Sequence, residues 1–160
     1  MAVAAPGGCR HGAWRERTVS QEDINKKIIV AHFLGMEGGT KRHMWGSYDL
    51  YLAKDCVYEN SGLPTFHGKQ DVMDFFFPDP DSDDGIVKLK AVFHHLEAVG
   101  NTVFTERTDH HYDKDGNDIL SPRICGVFEL KGGKIKRWAD YFDPRPMLEL
   151  FGDRVAQAAE

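Results

Sequence analysis

The sequence predicts an α+β domain in which a curved, mostly antiparallel sheet wraps over three to four helices around a deep apolar pocket. Three observations point there. Apolar residues recur at helical spacing in the first half of the chain. They alternate with polar residues at strand spacing from Val87 onward, and turn signals join those later segments into a meander. The 160 residues suffice for one domain with a core and a ligand-sized pocket, and no internal repeat is visible.

Residues 1–19 carry Ala, Gly, Pro and mixed charge without periodicity and are expected to form a flexible tail. The domain is expected to span 20–152, with a C-terminal tail over 153–160. Ser20 to Asp23 resembles a capping box opening a helix. Ile24, Ile28, Ala31 and Gly35 recur at helical spacing until Gly38-Gly39 ends the run. A second helix is predicted from about Lys41 to Ala53, with Trp45, Tyr48 and Leu52 on one face. Asp55 to Asn60 follows as a short strand. Gly68 to Phe77 gives a third helix, stopped by Pro78 and the polar segment 79–85. Strands are predicted near 87–98, 102–112, 119–130 and 134–142, with turns at Asp115-Gly116 and Lys131-Gly132-Gly133. Pro144 to Phe151 supplies a short closing helix.

Composition excludes several classes of partner. The net charge is −5 and there is no dense Lys/Arg tract, which argues against nucleic acid or an anionic membrane surface. Cys9, Cys56 and Cys125 are odd in number and lack CxxC or metal-ligand spacing, so reduced thiols in the cytoplasm are expected. No charged leader or membrane-length apolar stretch stands out, so a soluble cytoplasmic chain is expected.

Five polar residues carry the chemistry. Arg107 and Asp109 lie two apart on one predicted strand, Tyr58 and Asn60 two apart on another, and residues two apart on a strand share a face. Asp140 shares its face with Trp138 and Phe142, which belong in a core. A carboxylate pointing inward is costly unless paired. Arg107 is the obvious partner, and its fork can serve two carboxylates, giving an Asp–Arg–Asp array beside a phenol and an amide. Taken alone, Arg107-x-Asp109 reads as a solvated surface pair and Tyr58-x-Asn60 as a strand end. For Asp140 the bland reading is a structural buried ion pair.

The order of these pieces resembles limonene-1,2-epoxide hydrolase. The likeness is carried by Asp55-Cys-Val-Tyr58-Glu-Asn60, Leu63-Pro64, Phe104-Thr-Glu-Arg107-Thr-Asp109, Gly126-Val-Phe128 and Arg137-Trp-Ala-Asp140-Tyr-Phe-Asp143, and covers about residues 20–152. The resemblance implies the NTF2-like cone also seen in ketosteroid isomerases and SnoaL-type cyclases. It implies a cofactor-independent hydrolysis of an epoxide to a vicinal diol. Tyr58, Asn60 and Asp140 would hold the attacking water, with Asp140 as base. Asp109 would protonate the epoxide oxygen, and Arg107 would bridge the carboxylates. The chemistry needs a base and an acid on opposite sides of the ring, which two carboxylates in different protonation states supply. Homodimerisation is implied in the same way. The chain departs from the family pattern at His111, where the family has an aliphatic residue, at Pro122-Arg123 and in the acidic loop 78–85.

Eight histidines raise a metal alternative, in which His111, Asp109 and one histidine of the adjacent strand form a site. Neither His94-His95 nor His110-His111 chelates through both rings, because strand neighbours face opposite ways. The expectation is no metal and no cofactor. Two calcium-like segments, Asp79-x-Asp81-x-Asp83 and Asp113-x-Asp115-Gly116, lack the loop glycine or closing ligand in place and are expected as polar turns. Trp45, Met73, Phe76, His111, Ile124, Trp138 and Phe142 are expected to line the pocket, which suits a bulky apolar epoxide such as a terpenoid. Two alternatives stay open. One is a same-fold isomerase, cyclase or dehydratase with a steroid or polyketide-like substrate, in which Asp140 or Asp109 abstracts a carbon-bound proton. The other is a non-catalytic ligand-binding or dimerisation module.

Overall fold

The computed structural model describes residues 18–158. Cys9 and most of the expected N-terminal tail lie outside that range. Ser20 caps helix α1 (Gln21–Gly35) by accepting a hydrogen bond from the Asp23 backbone N–H at 3.1 Å, with Glu22 and Asp23 complementing the helix dipole. A 3₁₀ turn (Met36–Gly38) and Gly39, at φ 83°, lead to Thr40, whose side chain caps helix α2 (Lys41–Tyr51). Helix α2 ends two residues before the expected Ala53. Leu52 is already extended and pairs with Ile135, so strand β1 begins there and runs Leu52–Asn60. Tertiary pairing has overridden the local helical pattern.

Strand β2 is the pair Phe66–His67, too short to carry an alternation signal in the sequence, and helix α3 follows over Lys69–Phe76. Strands β3 (Lys88–Val99) and β4 (Thr102–Tyr112) form a long hairpin. The strand expected over 119–130 is two strands, β5 (Asp118–Leu120) and β6 (Arg123–Lys131). Pro122 has no N–H for a ladder, and its carbonyl instead accepts from Asp109 N–H at 3.1 Å. Strand β7 (Lys134–Tyr141) completes the sheet. Helix α4 runs Arg145–Ala158, so most of the C-terminal segment expected as a tail is helical.

The sheet order is β2-β1-β7-β6-β4-β3, with β5 on β4. Only β1–β7 is parallel among these pairings. The sheet curls as a half-barrel over the helices, an α+β cone. Strand β4 alternates cleanly, with Val103, Thr105, Arg107, Asp109 and His111 buried on the concave face. Phe33, Met36, Phe128, Ile135 and Trp138 are essentially sealed between sheet and helices and anchor the core. Among the described residues no helix is long and apolar enough to cross a membrane.

Candidate active site

Sheet register assembles the polar residues. On the concave face Asn60 of β1 stands beside Asp140 of β7, which stands beside Gly126 of β6, which stands beside Thr105 of β4. One step along, Tyr58, Trp138, Phe128 and Val103 form the next row. Gly126 has no side chain, and this opens a passage across β6. A Cβ built there would lie 2.3 Å from Arg107 Nη1, 2.7 Å from Thr105 Oγ1 and 2.8 Å from Asp140 Oδ1. Through that gap Arg107 reaches from β4 to β7.

Arg107 is fully buried. Its Nε donates to Asp109 Oδ1 and Oδ2 at 2.9 and 3.1 Å, its Nη2 to Asp140 Oδ2 at 2.6 Å, and its Nη1 to Thr105 Oγ1 at 3.0 Å. Its guanidinium also lies 4.6 Å from the Phe33 ring centroid. Burial opposes the charge, yet Asp140 and Asp109 hold the guanidinium above its ordinary pKa. Burial pushes the carboxyls of Asp109 and Asp140 above the carboxylate range, Arg107 opposes this at both, and the charge of Asp109 adds to the shift at Asp140. Two nearby carboxyls with one cation between them favour opposite protonation states.

Two acceptors remain free. Asp140 Oδ1 and Asn60 Oδ1 are buried with no partner at hydrogen-bond distance among the described residues, as is the Trp138 Nε1 donor, which lies near enough to Asp140 to draw its carboxyl pKa down slightly against burial. Asn60 donates through Nδ2 to the Tyr58 hydroxyl at 3.1 Å. Burial holds that phenol well above its ordinary pKa, so it stays protonated and is a donor. A carboxyl oxygen, an amide oxygen and a phenolic donor are therefore gathered at one point.

These groups open onto a cavity between the concave face, α2, α3 and α4. Tyr58, Asn60, Asp109 and Asp140 line it, with Phe76, His111, Ile124, Trp138 and Phe142 among its walls. Arg107 does not line it and sits behind the carboxylates. Trp45 and Met73, expected on the wall, are elsewhere. The cavity-facing stripe of α2 is Lys41, Met44 and Tyr48, and Trp45 is turned about 100° from Met44, partly covered by Arg42. Met73 is buried in the core one turn before Phe77. Sequence reasoning missed Lys41, Met44 and Met147, although the Lys41–Met44–Tyr48 spacing is itself a helical stripe. It also missed His32, fully buried on α1 with Nδ1 2.9 Å from Ser47 Oγ, whose ring burial holds near a pKa of about 3.

The metal alternative fails on geometry. Register puts Leu89 beside His111 and Ala91 beside Asp109, while His94 bonds Thr108 on the outer face at 2.9 Å. Among the described residues no three His, Cys, Asp or Glu side chains gather to hold a metal.

The fold defines a class, the NTF2-like cones, here with a buried Asp–Arg–Asp array on the concave face. A SnoaL-like polyketide cyclase from Jannaschia superposes with a TM-score of 0.59 at 11% identity, over 90% of this chain and 96% of that one, which is a likeness of fold alone. The family is narrower. Residues 30–152 match the limonene-1,2-epoxide hydrolase catalytic domain, and the chain belongs to that family. Epoxide hydrolase EphG of Mycobacterium tuberculosis is 33% identical over 106 residues, 63% of this chain and 64% of that protein's length. The structure of a limonene-1,2-epoxide-hydrolase-like epoxide hydrolase from M. tuberculosis superposes with a TM-score of 0.62 at 25% identity, over 85% of this chain and 90% of that one.

Proposed function

We propose that the protein is a cofactor-independent epoxide hydrolase that opens a bulky apolar epoxide, terpenoid or similar in size, to a vicinal diol in one step. The observation that carries this reading is the Arg107-bridged pair of buried carboxyls with the Oδ1 atoms of Asp140 and Asn60 left as bare acceptors beside the Tyr58 hydroxyl. A water there donates one hydrogen to Asp140 and the other to Asn60. It accepts from Tyr58 and keeps one lone pair for the substrate.

In this reading Asp140, at the end of the 2.6 Å bond from Arg107, is the ionised partner and Asp109 the protonated one. Asp140 takes a proton from water as its oxygen attacks an oxirane carbon. The C–O bond on that carbon breaks with inversion, and Asp109 gives its proton to the departing oxygen. Arg107 then lies between a neutral Asp140 and an ionised Asp109, so its charge is balanced before and after. A proton returned from Asp140 to Asp109 through solvent resets the site. The apolar walls keep bulk water from the oxirane and favour an apolar substrate body.

The test is a single turnover of an epoxide panel in oxygen-18 water. Label should enter the diol, and none should enter a peptide containing Asp140. Labelled Asp140 with unlabelled first-turnover diol would mean that Asp140 attacks carbon and forms an ester.

The active unit is a homodimer in this reading. On the convex face Phe104, Val127 and Ala139 form one row across three strands, with Cys125 and Tyr141 in the next. Phe104 and Tyr141 are about half exposed there.

A further inference from the structure

Most polar groups of the cavity have a task already. Tyr58, Asn60, Asp109 and Asp140 serve the reaction, and Lys41 and Asp84 at the mouth are paired with each other. His111 is left over. It sits two residues beyond Asp109 on the same face of β4, roughly 7 Å along the strand, and is buried. Its Nδ1 is 3.0 Å from the Leu120 carbonyl oxygen. A carbonyl only accepts, so Nδ1 carries the proton and Nε2 of the neutral ring holds a lone pair. Burial holds the imidazole down to about pKa 4, against the pull of the Leu120 and Asp109 carbonyls, so the ring is neutral near pH 7. The hydrogen bond the ring makes is the one from Nδ1 to the Leu120 carbonyl, and His111 lines the cavity, so an entirely hydrocarbon ligand would give Nε2 no donor.

We propose that His111 determines specificity by accepting a hydrogen bond, through Nε2, from a hydroxyl of the substrate, so that the preferred epoxides are epoxy alcohols. The hydroxyl belongs to a part of the skeleton away from the oxirane, whose oxygen lies at Asp109. The oxirane half of this statement rests on the epoxide hydrolase reading, whereas the hydroxyl half does not. A site built to bond a hydroxyl discriminates strongly against an analogue without one, whereas apolar walls alone discriminate weakly.

The experiment pairs ligands that differ only in the donor hydrogen. Binding of 4-isopropylcyclohexanol and its O-methyl ether, which carry no epoxide, is measured by calorimetry on the wild type, His111→Leu and His111→Gln. Turnover is measured with epoxy alcohols of the same ring skeleton and their O-methyl ethers. The wild type should favour the alcohol by about 10–100-fold in Kd and in kcat/KM, the cost of leaving one buried acceptor unpaired. His111→Leu should bring the ratio near one while ether affinity is kept, and His111→Gln, with an amide oxygen near the Nε2 position, should retain most of the preference. A wild-type ratio near one, no binding of the alcohol, or a ratio unchanged in His111→Leu overturns the proposal. If the leucine variant does not fold, the wild-type ratio and the glutamine variant decide. Alcohol preference in binding without turnover of any epoxide would strike the hydrolase reading and leave His111 in its role. Diol formation without preference would do the reverse.

Discussion

At the scale of single residues, the site depends on one arginine held at both ends and one missing side chain. Replacing Asp140 by Asn keeps its shape and removes the base, so turnover should fall by about 10²–10⁴-fold while the melting temperature stays close to that of the wild type. Near-normal hydrolysis by that variant would remove Asp140 from its role. Gly126 is a subtler position. An alanine there would meet Arg107, Thr105 and Asp140 at once, and the β6 backbone is paired on both sides and has nowhere to retreat. Gly126→Ala should cost roughly 1–3 kcal/mol of stability, as overpacking does, and should lower kcat by pushing Arg107 off the carboxylates. A variant with wild-type Tm and kcat would mean that the array has slack.

At the scale of elements, the acidic loop between α3 and β3 is tied to the start of α2 across the cavity mouth. Lys41 Nζ donates to Ser82 Oγ at 2.6 Å and also to Asp84, and Arg42 Nε donates to Asp81 Oδ1 at 2.9 Å. The Lys41 ammonium beside Asp84 holds that carboxyl at a pKa of about 2, so the tie persists through mild acid. Asp81 and Asp84 are mostly exposed and screened by solvent, so the pairs add little to stability. The double variant Asp81→Asn/Asp84→Asn should therefore fold normally. Limited proteolysis within 78–87 should become faster, and KM should rise several-fold with kcat little changed. Equal protease resistance would show that the loop is held by its apolar contacts instead.

At the scale of the whole molecule, two buried histidines contribute to the loss of stability in acid. Burial depresses His32 to about 3 and His111 to about 4, so each contributes stability that is fully present above the ordinary histidine value near 6.5. That contribution is lost as pH falls toward the folded value, by up to about 1.4 kcal/mol per pH unit for each ring. Asp109 and Asp140, raised by burial, have the opposite sign, with a contribution present in acid and lost as pH rises through their folded values. Comparing the wild type with His32→Gln isolates one ring. Urea unfolding between pH 7 and 5 should show a shallower fall for the variant, and parallel curves would place His32 in contact with water. Assembly is tested at this scale too. Light scattering should give twice the mass of the 160-residue chain, and Phe104→Lys on the convex face should yield monomers. A monomeric wild type would remove the dimer.

The sequence by itself determined the α+β order, the buried position of Asp140 and the pairing of Arg107 with Asp109, because these follow from strand parity and from the cost of an unpaired inward carboxylate. Tertiary structure decided what parity leaves open. The parallel β1–β7 register set Asn60 beside Asp140, and it also took Leu52 and Ala53 out of the helix that local spacing had assigned to them. The break at Pro122 separated β5 from β6 and sent its carbonyl to Asp109. Gly126 became legible only once β6 lay between Arg107 and Asp140, since the need for an absent side chain is a property of neighbours that are distant in sequence. The cavity wall on α2 was decided by the roll of the helix against the sheet, which chose Met44 over Trp45 through a 100° difference that several apolar residues on one helix do not resolve.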